Sequence, residues 1–232
     1  MDRLEKYRHR YAALAPGWES ATARYQQRVA DYLTPDVRVL DLGCGRGGIV
    51  ERLGSIGHWQ GVDPDAWSLR EHRMPSLPRS CAGAMHLPFA KGAFDLVVAS
   101  WVLEHLPRPA QTLREIARIL RPGGRLVFLT PNARHPLPWL GQRLGRLQRT
   151  LVPWVYGRAE ADAFPTYYRA NTAERLAQLA VQAGLVLRRL EYVEDPSYLA
   201  WNVPTFVLAV CLEWLLPAAG KVHLIGECVH MV

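Results

Sequence analysis

Three closely spaced glycines follow an acidic residue in the segment VLDLGCGRGG, and this grouping is well suited to hold a ligand. Gly43, Gly45 and Gly47 come directly after the apolar run 38–42, which reads as a buried parallel strand. Glycine accepts backbone angles that a Cβ forbids and lets the main chain approach a ligand closely. Free amides at the start of a following helix attract a carboxylate or a phosphate. The segment therefore predicts a nucleotide-type cofactor site.

The glycine spacing alone leaves two cofactor classes open. Gly43, Gly45 and Gly48 also satisfy the G-x-G-x-x-G pattern of dinucleotide-binding proteins. Asp41 argues against that class, because a pyrophosphate gains nothing from a negative charge so close to it. A cationic ligand gains from the same charge, and S-adenosylmethionine carries a sulfonium, an ammonium and a carboxylate on one short arm. Asp41 thus favours the adenosyl-sulfonium cofactor.

A second acidic residue follows at the distance expected for ribose binding. Asp63 ends a short predicted strand about 20 positions after the glycine turn, where a carboxylate accepts protons from both ribose hydroxyls. Its alternative role is the N-cap of a helix starting near Ala66, and Asp65 is the better residue for that cap. We therefore assign Asp63 to the ribose, with Pro64 beside it in the site.

Several blocks downstream of Asp63 read LPF, FDLV, LEHL and LRPGG, at residues 87–89, 94–97, 103–106 and 120–124. Together with the glycine segment, they resemble the UbiE-like, or type 11, group of class I methyltransferases. The resemblance extends from about Tyr32 to Asn132. It implies an enzyme that uses S-adenosyl-L-methionine and releases S-adenosyl-L-homocysteine, and it leaves the methyl acceptor open.

The resemblance also implies where the rest of the cofactor lies. Members of this family often carry an Asp before the alanine that contacts adenine. This chain has Gly83 there, so adenine is expected to rest on the backbone and packing of Ala84 and Met85. Ser100 and Trp101 end a predicted strand and are expected beside the sulfonium, because ligands bind at the carboxyl ends of such strands.

The N-terminal stretch 3–32 is predicted to be helical, and in related enzymes such a segment closes over the cofactor. Tyr11 and Trp18 are the candidates for this cap, since an aromatic face attracts a sulfonium. The alternative is that both rings pack the helix down. Cys44, inside the glycine segment, is assigned a backbone contact only.

Strands and helices alternate along the chain and must position these residues. The alternation predicts a doubly wound, Rossmann-like α/β fold. We expect a mostly parallel sheet of seven strands, with the last strand antiparallel and helices on both faces. The apolar pattern of 110–120 predicts a helix that stops at an RPGG turn before a strand at 125–130. A helix at 172–183 precedes strands at 185–193 and 222–229, which resemble the antiparallel pair that closes class I methyltransferase sheets.

A single domain is expected over residues 1–232, because this length buries one sizeable core. Its expected parts are a helical cap (1–35), a cofactor-binding core (36–131), a substrate lid (132–171) and a C-terminal helix and strand pair (172–232) that carries an apolar insertion (196–219).

The lid and the apolar insertion lie outside the shared core and are expected to select the methyl acceptor. The insertion gathers apolar side chains around Glu213 and is too short to span a bilayer. Four alternative roles are open for the insertion: it packs on the sheet, it lines an apolar pocket, it forms a dimer interface, or it makes peripheral contact with a membrane.

A base is needed only if the acceptor must first lose a proton. For an oxygen acceptor, the candidates are His135, His105, Tyr167 and Asp162. His135 is the predicted catalytic residue, because it follows the last parallel strand.

Composition and charge restrict the binding partners that the sequence predicts. The net charge of +7 suits nucleic acid, but the arginines are spread along the chain and the Asn-Pro-Pro-Tyr type motif of base methylation is absent. The four cysteines are too scattered for a structural zinc site, so no metal is predicted. The charged N-terminus lacks an export signal, which favours a cytoplasmic protein.

Three functions follow from these observations. The first is methyl transfer, predicted at oxygen, to a small-molecule, lipid-linked or saccharide acceptor. The second is nucleic-acid methylation. The third is cofactor binding without catalysis.

Overall fold

The computed structural model describes residues 2–138 and 164–231 and arranges them as alternating helices and strands. The strands are β1 (Arg38–Leu42), β2 (His58–Asp63), β3 (Arg79–Cys81), β4 (Phe94–Ser100), β5 (Leu120–Pro131), β6 (Leu185–Val193) and β7 (His223–His230). The α-helices are α1 (Arg3–Leu14), α2 (Ala21–Ala30), α3 (Val50–Leu53), α4 (Ala66–Arg70), α5 (Pro109–Ile119), α6 (Ala173–Gln182) and α7 (Val203–Leu215). Residues 139–163 of the predicted lid, including Asp162, lie outside the described residues.

The seven described strands form one sheet in the order β3-β2-β1-β4-β5-β7-β6. Neighbouring strands from β3 to β5 pair in parallel, whereas β7 runs antiparallel to both β5 and β6. This confirms the predicted doubly wound sheet with its antiparallel last strand. The strand order reverses between β1 and β4, and a ligand crevice is expected at the carboxyl ends of strands at such a point.

Both faces of the sheet are buried, as a parallel sheet requires. Along β4, Val97 and Ala99 face the layer that contains α5 and α6, while Leu96 and Val98 face the layer that contains α2. Tyr25 of α2 is fully buried in the second layer. The sheet edge that carries the ligand crevice is therefore held from both sides.

The glycine segment differs from its prediction. Helix α3 begins only at Val50 and has four residues, so the glycines lead into a loop and not directly into a long helix. The predicted N-terminal helical stretch is likewise two helices, and Gly17 lies between them with a φ of 85°. Glycine adopts this left-handed conformation without the steric cost of a Cβ.

Two strand predictions also required correction. Strand β3 was not predicted, because three residues at a sheet edge are too few to show a period. Strand β5 begins at Leu120 and not at Arg125. The RPGG segment is a bulge within it, since Phe94 pairs with Leu120 while Leu96 pairs with Arg125.

The apolar insertion folds as helix α7 between two 3-10 turns, Pro196–Leu199 and Ala218–Gly220. An Asn202 side chain bound to the Thr205 amide caps the start of α7. Among the described helices, none combines the length and the apolar character needed to cross a membrane.

Candidate active site

The glycine turn closes over the ends of β1 and β2. The Gly43 amide donates to the Val62 carbonyl at 2.7 Å, and Gly43 has a φ of 75°. A Cβ at this position would come within 2.5 Å of the Val102 side chain. Glycine is therefore required here both by the backbone angle and by the close approach of Val102.

Asp41 lies at the bottom of the crevice, directly under this turn. Its side chain is buried, and its Oδ2 atom has no hydrogen-bond partner in the part of the chain that the structure describes. Burial, together with the nearby charge of Asp63, raises the pKa of Asp41 to about 7. A buried carboxyl without a partner is costly unless a donor or a cation satisfies it.

Asp63 ends β2 beside the turn, and backbone amides hold its side chain. Its Oδ2 accepts the Gly45 amide at 2.9 Å, and its Oδ1 accepts the Asp65 amide at 2.8 Å. Burial raises the pKa of Asp63, and these two hydrogen bonds oppose the shift. Each oxygen keeps further acceptor capacity for a ligand hydroxyl.

The predicted competition between Asp63 and Asp65 for the α4 cap is resolved in the structure. Asp65 accepts hydrogen bonds from the amides of Trp67 and Ser68. Asp63 is thus not the cap of this helix. Pro64, between the two acids, is exposed.

A cavity of about 430 Å³ opens at the ends of β1 and β4. Asp41, Ser100 and Trp101 line it together with a glycine-segment wall of Gly43, Cys44, Gly47 and Gly48. Trp101 has a φ of 59°, an unusual backbone angle for a bulky residue that marks a strained position. Its ring packs edge-on against His223 at 5.2 Å between centroids.

Helix α2 supplies a wall that sequence reasoning missed. Thr22, Tyr25 and Gln26 line the cavity, and the Tyr25 hydroxyl has no hydrogen-bond partner in the described structure. Burial and the nearby Asp41 raise the pKa of Tyr25 well above its ordinary value. No motif marks these residues. Only the spacing of Ala21, Tyr25 and Val29 indicated a buried helix face.

Cys44 lines the cavity but is chemically inert. Its Sγ fits against Gly61, where a Cβ would come within 2.7 Å of the sulfur. Burial, reinforced by Asp41 and Asp63, raises the pKa of the Cys44 thiol to about 12. The thiol therefore stays protonated, in keeping with the backbone role assigned to this residue.

Ala84 and Met85 are partly buried and are not among the residues that line the cavity. The Met85 carbonyl accepts a hydrogen bond from Gln111 of α5 at 3.4 Å. Their contact with adenine stays a prediction.

Tyr11 and Trp18 also lie away from the cavity lining. Their rings pack edge-on at 5.1 Å, and the Trp18 indole donates to the Glu194 carbonyl beyond the end of β6. Tyr11 belongs to an apolar cluster with Phe206 and Val210 of α7. Both rings pack against their neighbours in the described structure, and their contact with the cofactor stays a prediction.

The two histidine candidates have different hydrogen-bonding states. His135 is 1% exposed, and its Nδ1 accepts the Leu137 amide. The neutral ring therefore carries its proton on Nε2, which lies 3.5 Å from Glu213 Oε1. His105 is the reverse case, because its Nδ1 donates to the Pro165 carbonyl at 2.9 Å and leaves the Nε2 lone pair available.

This geometry does not support the predicted catalytic role of His135, whose ring is buried and contacts α7. Tyr167 is exposed, and its amide donates to the Glu104 carbonyl, which connects the described end of the lid to the turn after β4. Of the two candidate histidines, His105 is therefore the one whose Nε2 keeps its lone pair.

Comparisons with known proteins identify the family and agree with this fold. Residues 40–128 match the Methyltransf_11 family, a methyltransferase domain. The chain is 32% identical over 180 residues to a demethylmenaquinone methyltransferase of Lactiplantibacillus plantarum. This alignment covers 69% of this chain and 75% of that protein. It is 36% identical over 110 residues to a ubiquinone biosynthesis O-methyltransferase of Sodalis glossinidius, covering 44% of each.

A solved structure of an S-adenosylmethionine-dependent methyltransferase from Mesorhizobium loti shares the fold. It has a TM-score of 0.65 and 18% identity, and it covers 90% of this chain and 98% of that one. The family match and the demethylmenaquinone methyltransferase relative, together with the sheet order, identify a class I, S-adenosylmethionine-dependent methyltransferase. Within that class, the chain belongs to the UbiE-like, type 11 family.

Proposed function

We propose that this enzyme transfers a methyl group from S-adenosylmethionine, held in the cavity at β1 and β4, to an oxygen of a quinone-type small molecule. One observation supports the cofactor site above the others. The buried Asp41 carboxylate opens into a cavity of about 430 Å³, and its Oδ2 has no hydrogen-bond partner among the described residues. A cationic ligand satisfies such a group, whereas a pyrophosphate does not.

The residues present fit this cofactor. Asp41 would face the cationic arm, and Asp63, which keeps acceptor capacity on both oxygens, would hold the ribose hydroxyls. The bound cofactor supplies an electrophilic methyl group, which an acceptor attacks opposite the sulfur. The protein contributes mainly position, and well-oriented reactants gain roughly 7–11 kcal/mol in this way.

For an oxygen acceptor that must lose its proton, we assign the general base to His105. Its Nε2 lone pair is available because Nδ1 donates to Pro165. Glu104 Oε1 lies 4.0 Å from that nitrogen and would stabilise the imidazolium after proton uptake. His135 also has a carboxylate nearby, since Glu213 Oε1 lies 3.5 Å from its Nε2, but it lacks an available lone pair because the Leu137 amide engages its Nδ1.

A quinone-type acceptor is supported by two of the relatives, the demethylmenaquinone methyltransferase and the ubiquinone biosynthesis O-methyltransferase. The chain itself offers the Trp101 indole as an aromatic surface in the cavity lining, where the ring packs edge-on against the buried His223. Planar aromatic acceptors stack well on such surfaces.

The proposal is tested by supplying methyl-labelled S-adenosylmethionine with a short-chain demethylated quinol and identifying the methylated atom by mass spectrometry and NMR. We expect an O-methyl product. His105→Gln is expected to lower kcat about 100-fold, while His135→Gln keeps kcat within a few-fold of the wild type.

A product methylated at carbon would contradict the oxygen assignment and leave the cofactor site intact. A large loss of kcat in His135→Gln, with kcat kept in His105→Gln, would exchange the two histidine roles. An absence of transfer to every quinol tested would contradict the acceptor class.

A further inference from the structure

Helix α7 presents an apolar face to the outside of the molecule. Its outward residues are Val203, Pro204, Val207, Leu208, Cys211, Trp214 and Leu215. Leu208 and Leu215 are 70% and 84% exposed. Between 203 and 220 the only charged side chain is Glu213, and it is buried against His135 and Lys221. The exposed stripe therefore contains no charge along the whole helix.

The opposite face of α7 is firmly packed, so the helix cannot turn its apolar stripe inward. Phe206 and Val210 belong to a buried cluster with Tyr7 and Tyr11 of α1. The Tyr7 and Phe206 rings lie 5.2 Å apart. A contiguous apolar surface of this kind, fixed outward, marks an interaction site.

Cations border this stripe on the α1 side. The Lys6 ammonium and the Arg10 guanidinium are exposed and lie 5.7 Å and 5.5 Å from the centre of the Tyr7 ring. Arg3 lies 5.4 Å from the ring of Trp201, just before α7. An apolar stripe with a basic margin is complementary to an anionic lipid surface.

A second copy of the chain is a poorer occupant. A twofold contact across α7 would place two basic margins face to face between chains of net charge +7. The positions of Trp201 and Trp214 also favour lipid, because the two exposed indoles lie at opposite ends of the helix, where they suit the headgroup level.

We propose that α7 docks in the plane of an anionic bilayer, with its apolar stripe among the acyl chains and Lys6 and Arg10 at the headgroups. The helix has 13 residues and is about 20 Å long, too short to cross the hydrocarbon core. It joins the ends of β6 and β7 at the sheet edge that carries Trp101. Docking does not depend on the acceptor, but delivery of a lipid acceptor to the cavity rests on the proposed function.

The test is sedimentation of the full chain with vesicles of phosphatidylcholine alone or mixed equally with phosphatidylglycerol. We expect binding to the mixed vesicles that weakens with salt. The double variant Leu208→Glu with Leu215→Glu is expected to bind the mixed vesicles at least tenfold more weakly, because two leucine side chains no longer insert among the acyl chains. Neutralising Lys6 and Arg10 to Gln should each cost about fivefold.

Val181→Glu is the matched control, because Val181 is 64% exposed on α6 and lies outside the stripe. It should bind like the wild type. Failure of the wild-type chain to sediment with either vesicle, or an equal loss in Val181→Glu, would overturn the proposal. So would a dimer, seen by light scattering, that the α7 double variant converts to a monomer. S-adenosylmethionine binding, measured on each variant, separates failed docking from a failed cofactor site.

Discussion

Asp41 combines burial, charge and the lack of a protein partner at one position. Its residue type and its distance from the glycines were readable in the sequence, and they favoured a cationic ligand. The structure adds that Oδ2 is unsatisfied and that burial raises the pKa of the group to about 7. Sequence reasoning missed Tyr25 and Gln26 in the same cavity, because residues brought together by tertiary packing leave no local pattern.

The raised pKa of Asp41 predicts a pH-dependent cofactor affinity. Below about 7 the carboxyl is protonated and neutral, so a cationic ligand must displace the proton. Affinity for S-adenosylmethionine is expected to increase about tenfold per pH unit as the pH rises towards 7 and then level off. Asp41→Asn should bind weakly and without this slope, as measured by calorimetry across the acidic range.

Asp95→Asn provides the control for this measurement. Burial opposes the shift, but hydrogen bonds from Arg38 and Arg121 lower the pKa of Asp95 to about 2. Asp95 is therefore ionised throughout the range and lies at the other edge of the sheet. It should leave the slope unchanged, and a slope that survives in Asp41→Asn would contradict the assignment.

Helices and strands with a long periodic pattern could be predicted from the sequence. Elements that are short, or apolar on all sides, could not. Strand β4 and the α4 cap were found as predicted, because apolar runs and Asp caps are local features. Helix α7 was not resolved in advance, since apolar residues on all sides indicate no buried direction. The packing of Tyr11 and Trp18 against α7 was hidden for the same reason, because the sequence does not show which helices meet.

The pairing of β5 with β7 has little tolerance for added volume. Gly226 faces the Phe128 ring, and a Cβ there would come within 2.1 Å of it. Gly226→Ala is expected to lower the free energy of unfolding by about 1–3 kcal/mol, because the ring must leave its position. Gly83→Ala, with no neighbour within 4 Å, should change it by less than about 0.5 kcal/mol in denaturant unfolding. Equal effects of the two substitutions would refute this packing account.

At the scale of the whole molecule, the connections at one sheet edge bring the cofactor cavity and α7 together. The carboxyl ends of β1 and β4 border the cavity, and the β6–β7 connection carries α7 at the same edge of the sheet. The family motifs predicted the cofactor half of this arrangement. They are silent on the acceptor half, because specificity segments vary on a shared scaffold.

The central claim, that the cavity is built for S-adenosylmethionine, is tested most directly by calorimetric titration of the full chain with this cofactor and, separately, with NAD. We expect S-adenosylmethionine to bind one site per chain and NAD to show no comparable affinity. Asp63→Ala should abolish the binding, since it removes the ribose acceptor. Tighter binding of NAD, or cofactor binding that survives Asp63→Ala within a few-fold, would contradict the account.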